Sequence, residues 1–237
     1  PVPFGPGERA TYKVRLGIFG TVGDGSMEIL GVEELRERPV YHIRFDLEGG
    51  VLFAKVDDRM ESWLDVGRLY SHRFFQDQKE VNYKRRRTLE FYPESRRWEN
   101  ADKPGDGGEL ASDAPLDDVS FLYFVRTLPL EVGRTYTFNR YYKASGNPVV
   151  LKVLRRETVK VPAGTFETVV VQPLIRTSGL FSEGGRAEVY ISDDERRLLV
   201  RVKSHVPVIG SMDLQMQAYT PGAQLTAAEV AARRVIP

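Results

Sequence analysis

The sequence predicts an all-β, mostly antiparallel protein: a large curved sheet or an open, barrel-like β-sandwich, with one packed central helix and a short C-terminal helix. Three observations carry this expectation. Short runs with apolar residues at every second position recur along the chain. Gly, Pro, Asn and Asp punctuate those runs at short intervals. Only two stretches carry helix start and stop signals.

Pro1 to Glu8 is rich in Pro and Gly and reads as an extended lead-in. Arg9 to Leu16 alternates through Ala10, Tyr12, Val14 and Leu16, and Gly17, Gly20, Gly23 and Gly25 break it. Ser26 to Leu35 and Val40 to Leu47 follow; Tyr41, Ile43, Phe45 and Leu47 share one face of the second, and His42, Arg44 and Asp46 the other. Leu52 to Val56 and Met60 to Leu64 flank an expected turn at Asp57-Asp58, and Leu69 to Asp77, Glu80 to Tyr92 and Arg97 to Glu99 continue the pattern. Asn100 to Asp113 is the long irregular stretch. Asp113 is placed to cap a helix that Pro115 opens, with Asp117 and Asp118 in its first turn and Pro129 at its end. Leu116, Val119, Leu122, Tyr123 and Arg126 run down one side of it.

Strands are then expected over Thr135 to Lys143, Val149 to Val161, Phe166 to Ile175, Arg186 to Ile191, Leu198 to Ser204 and Met212 to Tyr219. Val161-Pro162-Ala163-Gly164-Thr165-Phe166 reads as a tight hairpin with a three-residue loop, Pro162 presetting φ and Gly164 taking the left-handed position. Thr226 to Arg234 reads as a short helix: Thr226 and Glu229 have capping-box spacing, Leu225 and Val230 that of a hydrophobic staple. Such a short helix must dock on the body or on a partner. Residues 1–219 are thus expected to form a single β-rich domain of two halves, 9–99 and 114–219, joined by loop 100–113, with 220–237 as a tail.

Composition narrows the function classes. With 34 basic and 33 acidic residues there is no net field to steer nucleic acid. No Cys occurs, which removes disulfides, thiolate metal sites and a Cys nucleophile within this chain. No apolar run approaches the length of a membrane-spanning helix. A chain that starts at Pro1 is read as processed or trimmed, with a signal peptide removed.

The candidate chemical groups each have a plainer explanation. His42, His72 and His205 lack the spacing of a metal-ligand motif, and no cofactor is expected. Asp57-Asp58, Asp117-Asp118 and Asp193-Asp194-Glu195 fit turns or a helix first turn as well as they fit paired acids. Ser178 and Ser182 lack a nucleophile-elbow context, and Gly23-Asp24-Gly25 and Gly105-Asp106-Gly107-Gly108 lack that of a phosphate loop. Lys84-Arg85-Arg86-Arg87 sits among aromatics, yet Glu80, Glu90 and Glu94 dilute its charge. One detail stands out there. Arg85 and Arg87 are in phase with Val81, Tyr83, Leu89 and Phe91, so they should line a polar cavity or meet buried carboxylates.

Several segments resemble one bacterial family. They are Phe4-Gly5-Pro6-Gly7-Glu8-Arg9-Ala10-Thr11-Tyr12-Lys13-Val14, then Asp117-Asp118-Val119-Ser120-Phe121-Leu122-Tyr123-Phe124-Val125-Arg126-Thr127-Leu128-Pro129-Leu130 with Val132-Gly133, then the Val161 to Phe166 turn, and last Ile191-Ser192-Asp193-Asp194 with Arg196-Arg197 and Leu199-Val200. In order and spacing they resemble the exported-protein family catalogued as a domain of unknown function, DUF 3108. The resemblance implies a β-rich, extracytoplasmic (periplasmic) protein and brings no catalytic residues. The expected function is therefore a non-catalytic structural or accessory subunit of a cell-envelope assembly, docking through its loops and through Leu225, Val230, Arg233 and Arg234. The alternative is a carrier of a lipid or other hydrophobic ligand, in a cavity lined by Tyr12, Phe45, Phe53 and Phe91 with Arg85 and Arg87. A carboxylate-dependent hydrolase comes third.

Overall fold

The alternating runs fold into fourteen antiparallel strands of one sheet. The computed structural model describes residues 2–51, 54–80, 83–175, 187–206 and 210–233. The first half supplies β1 (Arg9–Leu16), β2 (Gly20–Leu35), β3 (Arg38–Val51), β4 (Ala54–Asp65), β5 (Ser71–Glu80), β6 (Tyr83–Tyr92), β7 (Arg97–Asn100) and β8 (Gly107–Glu109). The second half supplies β9 (Thr135–Phe138), β10 (Val149–Val161), β11 (Gly164–Leu174), β12 (Glu188–Ser192), β13 (Leu199–Val206) and β14 (Gly210–Thr220). The spatial order is β8-β7-β6-β5-β4-β3-β2-β1-β14-β13-β12-β11-β10-β9, so the first and last strands of the chain's meander meet at the centre.

The period-two patterns explain which faces are buried. Tyr41 and Ile43 on β3 are fully buried, and the intervening His42 stays on the outer side. Each such burial contributes roughly 1.5–3 kcal/mol. Val149, Leu151, Val153, Val159 and Val161 on β10 are all buried, as their spacing predicts. Residues from both halves and from the central helix form one continuous hydrophobic cluster.

The sheet is open between β8 and β9, and the chain after β9 closes it. Tyr142 lies 5.4 Å from Phe91, 6.3 Å from Phe74 and 6.3 Å from Trp98, ring to ring, which brings the last strands back onto β5, β6 and β7. The Arg140 guanidinium donates to the main-chain oxygens of Ala114 and Leu69 across the same seam. The result is barrel-like.

The central helix is shorter than predicted. α1 covers only Ser120–Val125. Leu116 is taken instead by a bridge to Tyr141, and Asp117, not Asp113, satisfies the free N–H groups of Val119 and Ser120 at 2.9 and 2.8 Å. Arg126 ends it before Pro129 is reached.

Asp57-Asp58 is no turn: β4 runs straight through both, with Asp57 opposite Lys79 and Asp58 opposite Gln78. Val51 pairs with Ala54, and residues 52–53 between them lie outside those described. Residues 100–113 are not wholly irregular, since Gly107–Glu109 forms the edge strand β8 on β7. The strand predicted to reach Lys143 stops at Phe138, because the following segment crosses the seam.

The Val161-to-Phe166 hairpin has a two-residue loop. Val161 pairs directly with Gly164, whose φ is +136°, beyond the left-handed helical region but still unfavourable for other residues. Ala163 N–H is held by the Met216 carbonyl at 3.0 Å, which pins the hairpin tip to β14. At the C-terminus, α2 (Ala227–Arg233) has the predicted capping box: Thr226 N–H donates to Glu229 Oε2 at 2.7 Å and Glu229 N–H to Thr226 Oγ1 at 3.2 Å. The tail reaches it by crossing the lead-in so closely that a Cβ on Gly5 would meet the Ala223 oxygen at 2.1 Å.

Candidate functional site

On β6 the inward face reads Tyr83, Arg85, Arg87, Leu89, Phe91. Leu89 and Phe91 are fully buried, so the two arginines continue an apolar face towards the β5–β6 hairpin end. Arg87 donates from Nε to Gln76 Oε1 at 2.7 Å and from its terminal nitrogen to the Tyr142 hydroxyl at 2.9 Å. The Arg85 guanidinium lies 5.0 Å from the centre of the Tyr83 ring. The Lys143 ammonium lies 5.6 Å from the centre of the Tyr142 ring. Burial lowers the Lys143 pKa, and the neighbouring Arg87 and Arg85 lower it further. Asp118 faces these cations and accepts the Tyr141 hydroxyl at 3.0 Å. Burial raises its carboxyl pKa, opposed by that hydrogen bond and by Arg87, Lys143 and Arg85.

A second centre ties the body together. Arg126, just past α1, donates to both Glu8 oxygens at 2.6 and 3.0 Å, with both side chains almost wholly buried. It also donates to the main-chain oxygens of Arg197 at 2.8 Å and Arg196 at 3.2 Å. Its guanidinium sits between the rings of Phe4 and Tyr123, 5.2 and 5.1 Å away. The sequence segments around Phe4 to Glu8, Asp117 to Arg126 and Arg196-Arg197 therefore meet at one ion pair. Beside it is a cavity of about 10 Å³, lined in part by Glu8, Tyr12, Tyr123, Arg126 and Tyr219. That is room for roughly one water molecule.

Among the described residues, the predicted cavity residues have different surroundings. Tyr12 borders that small cavity and donates to the Leu199 carbonyl at 3.0 Å. Phe91 is sealed beneath Tyr142, and Phe45 is half-buried against the core. Phe53 lies outside the described residues, as do Arg234, Ser178 and Ser182. Leu225 joins the protein's own core and Val230 packs against it, so the tail docks on the body; the Arg233 side chain is outside what is described.

The acidic pairs are scattered. Asp57 meets Lys79 at the surface, 3.1 Å away, and Asp193 meets Arg156 at 2.7 Å. Asp117 is fully buried, accepts Ser62 Oγ at 2.6 Å, and is pushed up to about 6 by that burial. His42 bridges Glu33 and Glu61 at 2.7 and 2.8 Å and stacks on Trp63, while His72 contacts Asp65 at 3.2 Å. Among the described residues, no group of His, Asp and Glu is arranged to hold a metal ion.

Sequence reasoning singled out Arg85 and Arg87 through their phase, but not Lys143, Tyr142 or Glu8. Lys143 and Tyr142 come to β6 only by closure of the barrel. The signal for Glu8 was its place in the same recognisable set of segments as Arg126.

Comparison with one solved structure supports the barrel-like architecture. A beta-barrel-like protein of the domain of unknown function DUF1849 from Brucella abortus aligns with a TM-score of 0.56 at 11% identity, covering 94% of this chain and 100% of that one. A candidate lipoprotein from Parabacteroides distasonis aligns at 0.40 and 12% identity, covering 92% and 98%. A candidate exported protein with a YmcC-like fold from Bacteroides fragilis aligns at 0.34 and 10%, also covering 92% and 98%. No curated protein matches the sequence. Residues 11–217 match the family described as protein of unknown function DUF3108, and the chain belongs to that family.

Proposed function

We propose that the protein is a non-catalytic, extracytoplasmic accessory protein that docks onto a larger cell-envelope assembly through one end of its barrel. The observation that carries the docking is the exposure of two aromatic side chains at one end of the sheet. Phe19 is 54% exposed and Tyr83 38% exposed, and both lie at the end where β1–β2 and β5–β6 reverse. Three reversals at the other end are polar, Arg36-Glu37, Pro93-Glu94-Ser95-Arg96 and Asp193-Asp194-Glu195-Arg196-Arg197, while Val66 to Tyr70 and Pro162-Ala163 there are not. Exposed aromatics at one end favour a protein interface. The extracytoplasmic placement rests on the exported-protein family that the sequence resembles.

The alternatives have less support. Asp57, Asp118 and Asp193 are engaged in three separate places, which gives a carboxylate hydrolase no shared cleft among the described residues. Among the described residues, Tyr12 borders a cavity of about 10 Å³, too small for a lipid tail, and Phe91 lies beneath Tyr142. The test is native purification from the envelope followed by mass spectrometry, for the wild type and a Phe19→Ser/Tyr83→Ser variant. A stoichiometric protein partner lost in the variant is expected. A bare monomer, or a partner held equally by the variant, would overturn the docking; a retained lipid would favour carriage.

A further inference from the structure

We propose that Arg85, Arg87 and Lys143 form a binding site for a phosphate-class anion on the inner face of the sheet beside the β5–β6 hairpin. Several half-buried cations elsewhere meet carboxylates, Arg44 with Glu61 at 2.9 Å, Arg73 with Glu90 at 2.6 Å and Arg201 with Asp213, while Arg140 is held by main-chain oxygens. Arg85, Arg87 and Lys143 make no salt bridge among the described residues. Their close partners among the described residues are neutral: the Tyr83 ring for Arg85, Gln76 and Tyr142 for Arg87, and the Tyr142 ring for Lys143.

Among the carboxylates that face the group, Asp118 attracts all three cations at longer range without a salt-bridge contact while it accepts the Tyr141 hydroxyl, and Asp106 accepts Asn100 Nδ2 at 2.9 Å. Three like charges brought together by the fold, with carboxylate contact withheld, leave a place where an anion with several acceptor oxygens is favoured. The half-buried position strengthens that attraction relative to open surface. Arg85 supplies a guanidinium fork with no hydrogen bond to a described residue, and such a fork matches a phosphate edge. Aromatic faces at Tyr83 and Tyr142 hold two of the cations in position without neutralising them. Two sources share this chemistry: free phosphate and a phospholipid headgroup. The site shares Tyr83 with the proposed docking end but does not rest on the docking, and its test variants leave Phe19 and Tyr83 unchanged.

The test uses the full chain in two titrations. One is calorimetry with inorganic phosphate. The other is co-sedimentation with vesicles of phosphatidylglycerol and phosphatidylcholine, against phosphatidylcholine alone. Arg85→Gln and Lys143→Gln are the variants, because neither side chain makes a hydrogen bond that supports the fold among the described residues; circular dichroism confirms that they fold. We expect the wild type to bind phosphate or the anionic vesicles, and each variant to bind about tenfold more weakly, the loss of one charge-assisted contact. Phosphate binding identifies the free anion as a sufficient ligand, and vesicle binding alone identifies the headgroup. No binding to either probe, or binding unchanged in both variants, overturns the proposal.

Discussion

Replacing Arg126 with Met should be among the most damaging single changes in the molecule. The substitution keeps much of the apolar stem that packs between Phe4 and Tyr123 but removes the guanidinium. Glu8 is then left almost wholly buried without its cation, and the carbonyls of Arg196 and Arg197 lose a charged donor. Breaking a buried pair from one side costs about 3–5 kcal/mol. For a chain of this length each kcal/mol lowers Tm by roughly 2–4 °C, so a fall of about 6–20 °C is expected. The double variant Glu8→Gln/Arg126→Met removes the stranded charge and should recover part of that loss. Thermal unfolding followed by circular dichroism reads both. A Tm for Arg126→Met within about 2 °C of wild type, or a double variant no better than the single one, would refute the view that this pair holds the lead-in, α1 and the β12–β13 turn together.

Two further predictions concern stability. The Asp117 carboxyl is pushed from 3.8 up to about 6 by burial, so between those values the folded state holds a proton that the unfolded state has lost. This group therefore favours folding below about pH 4, and that benefit fades as pH rises towards about 6, by roughly 3 kcal/mol in all. Asp117→Asn keeps an acceptor for the Val119 and Ser120 N–H groups and should lose that part of the pH dependence; urea midpoints at pH 4.5 and 7 that shift as much in the variant as in the wild type would contradict it. Gly164→Ala places a Cβ at φ +136° and should cost on the order of 1 kcal/mol or more, and an unchanged Tm would show that the hairpin tolerates a side chain there.

Much of the sheet was legible because alternation is a local signal. The β3 and β10 patterns named the buried face residue by residue, and the Thr226–Glu229 cap followed from spacing alone. The central helix misled because Asp113, Pro115 and Pro129 are good signals for an independent helix, whereas Leu116 is claimed by Tyr141 across the seam. Asp57-Asp58 looked like a turn because neighbouring aspartates favour one, but β5 supplies partners for both. At the cation group, Arg85 and Arg87 were visible through their phase with Leu89 and Phe91. Tyr142 is 55 residues from Arg87, and no sequence period links them. Glu8 and Arg126 are 118 residues apart, joined only when the lead-in folds beneath the helix.

The docking proposal is tested most directly by photo-cross-linking in cells. A benzophenone amino acid would replace Phe19 in one strain and Ser95, in the reversal at the opposite end, in another. The account predicts one discrete protein adduct at position 19 and none at position 95. No adduct at position 19, or the same adduct from both ends, would contradict it.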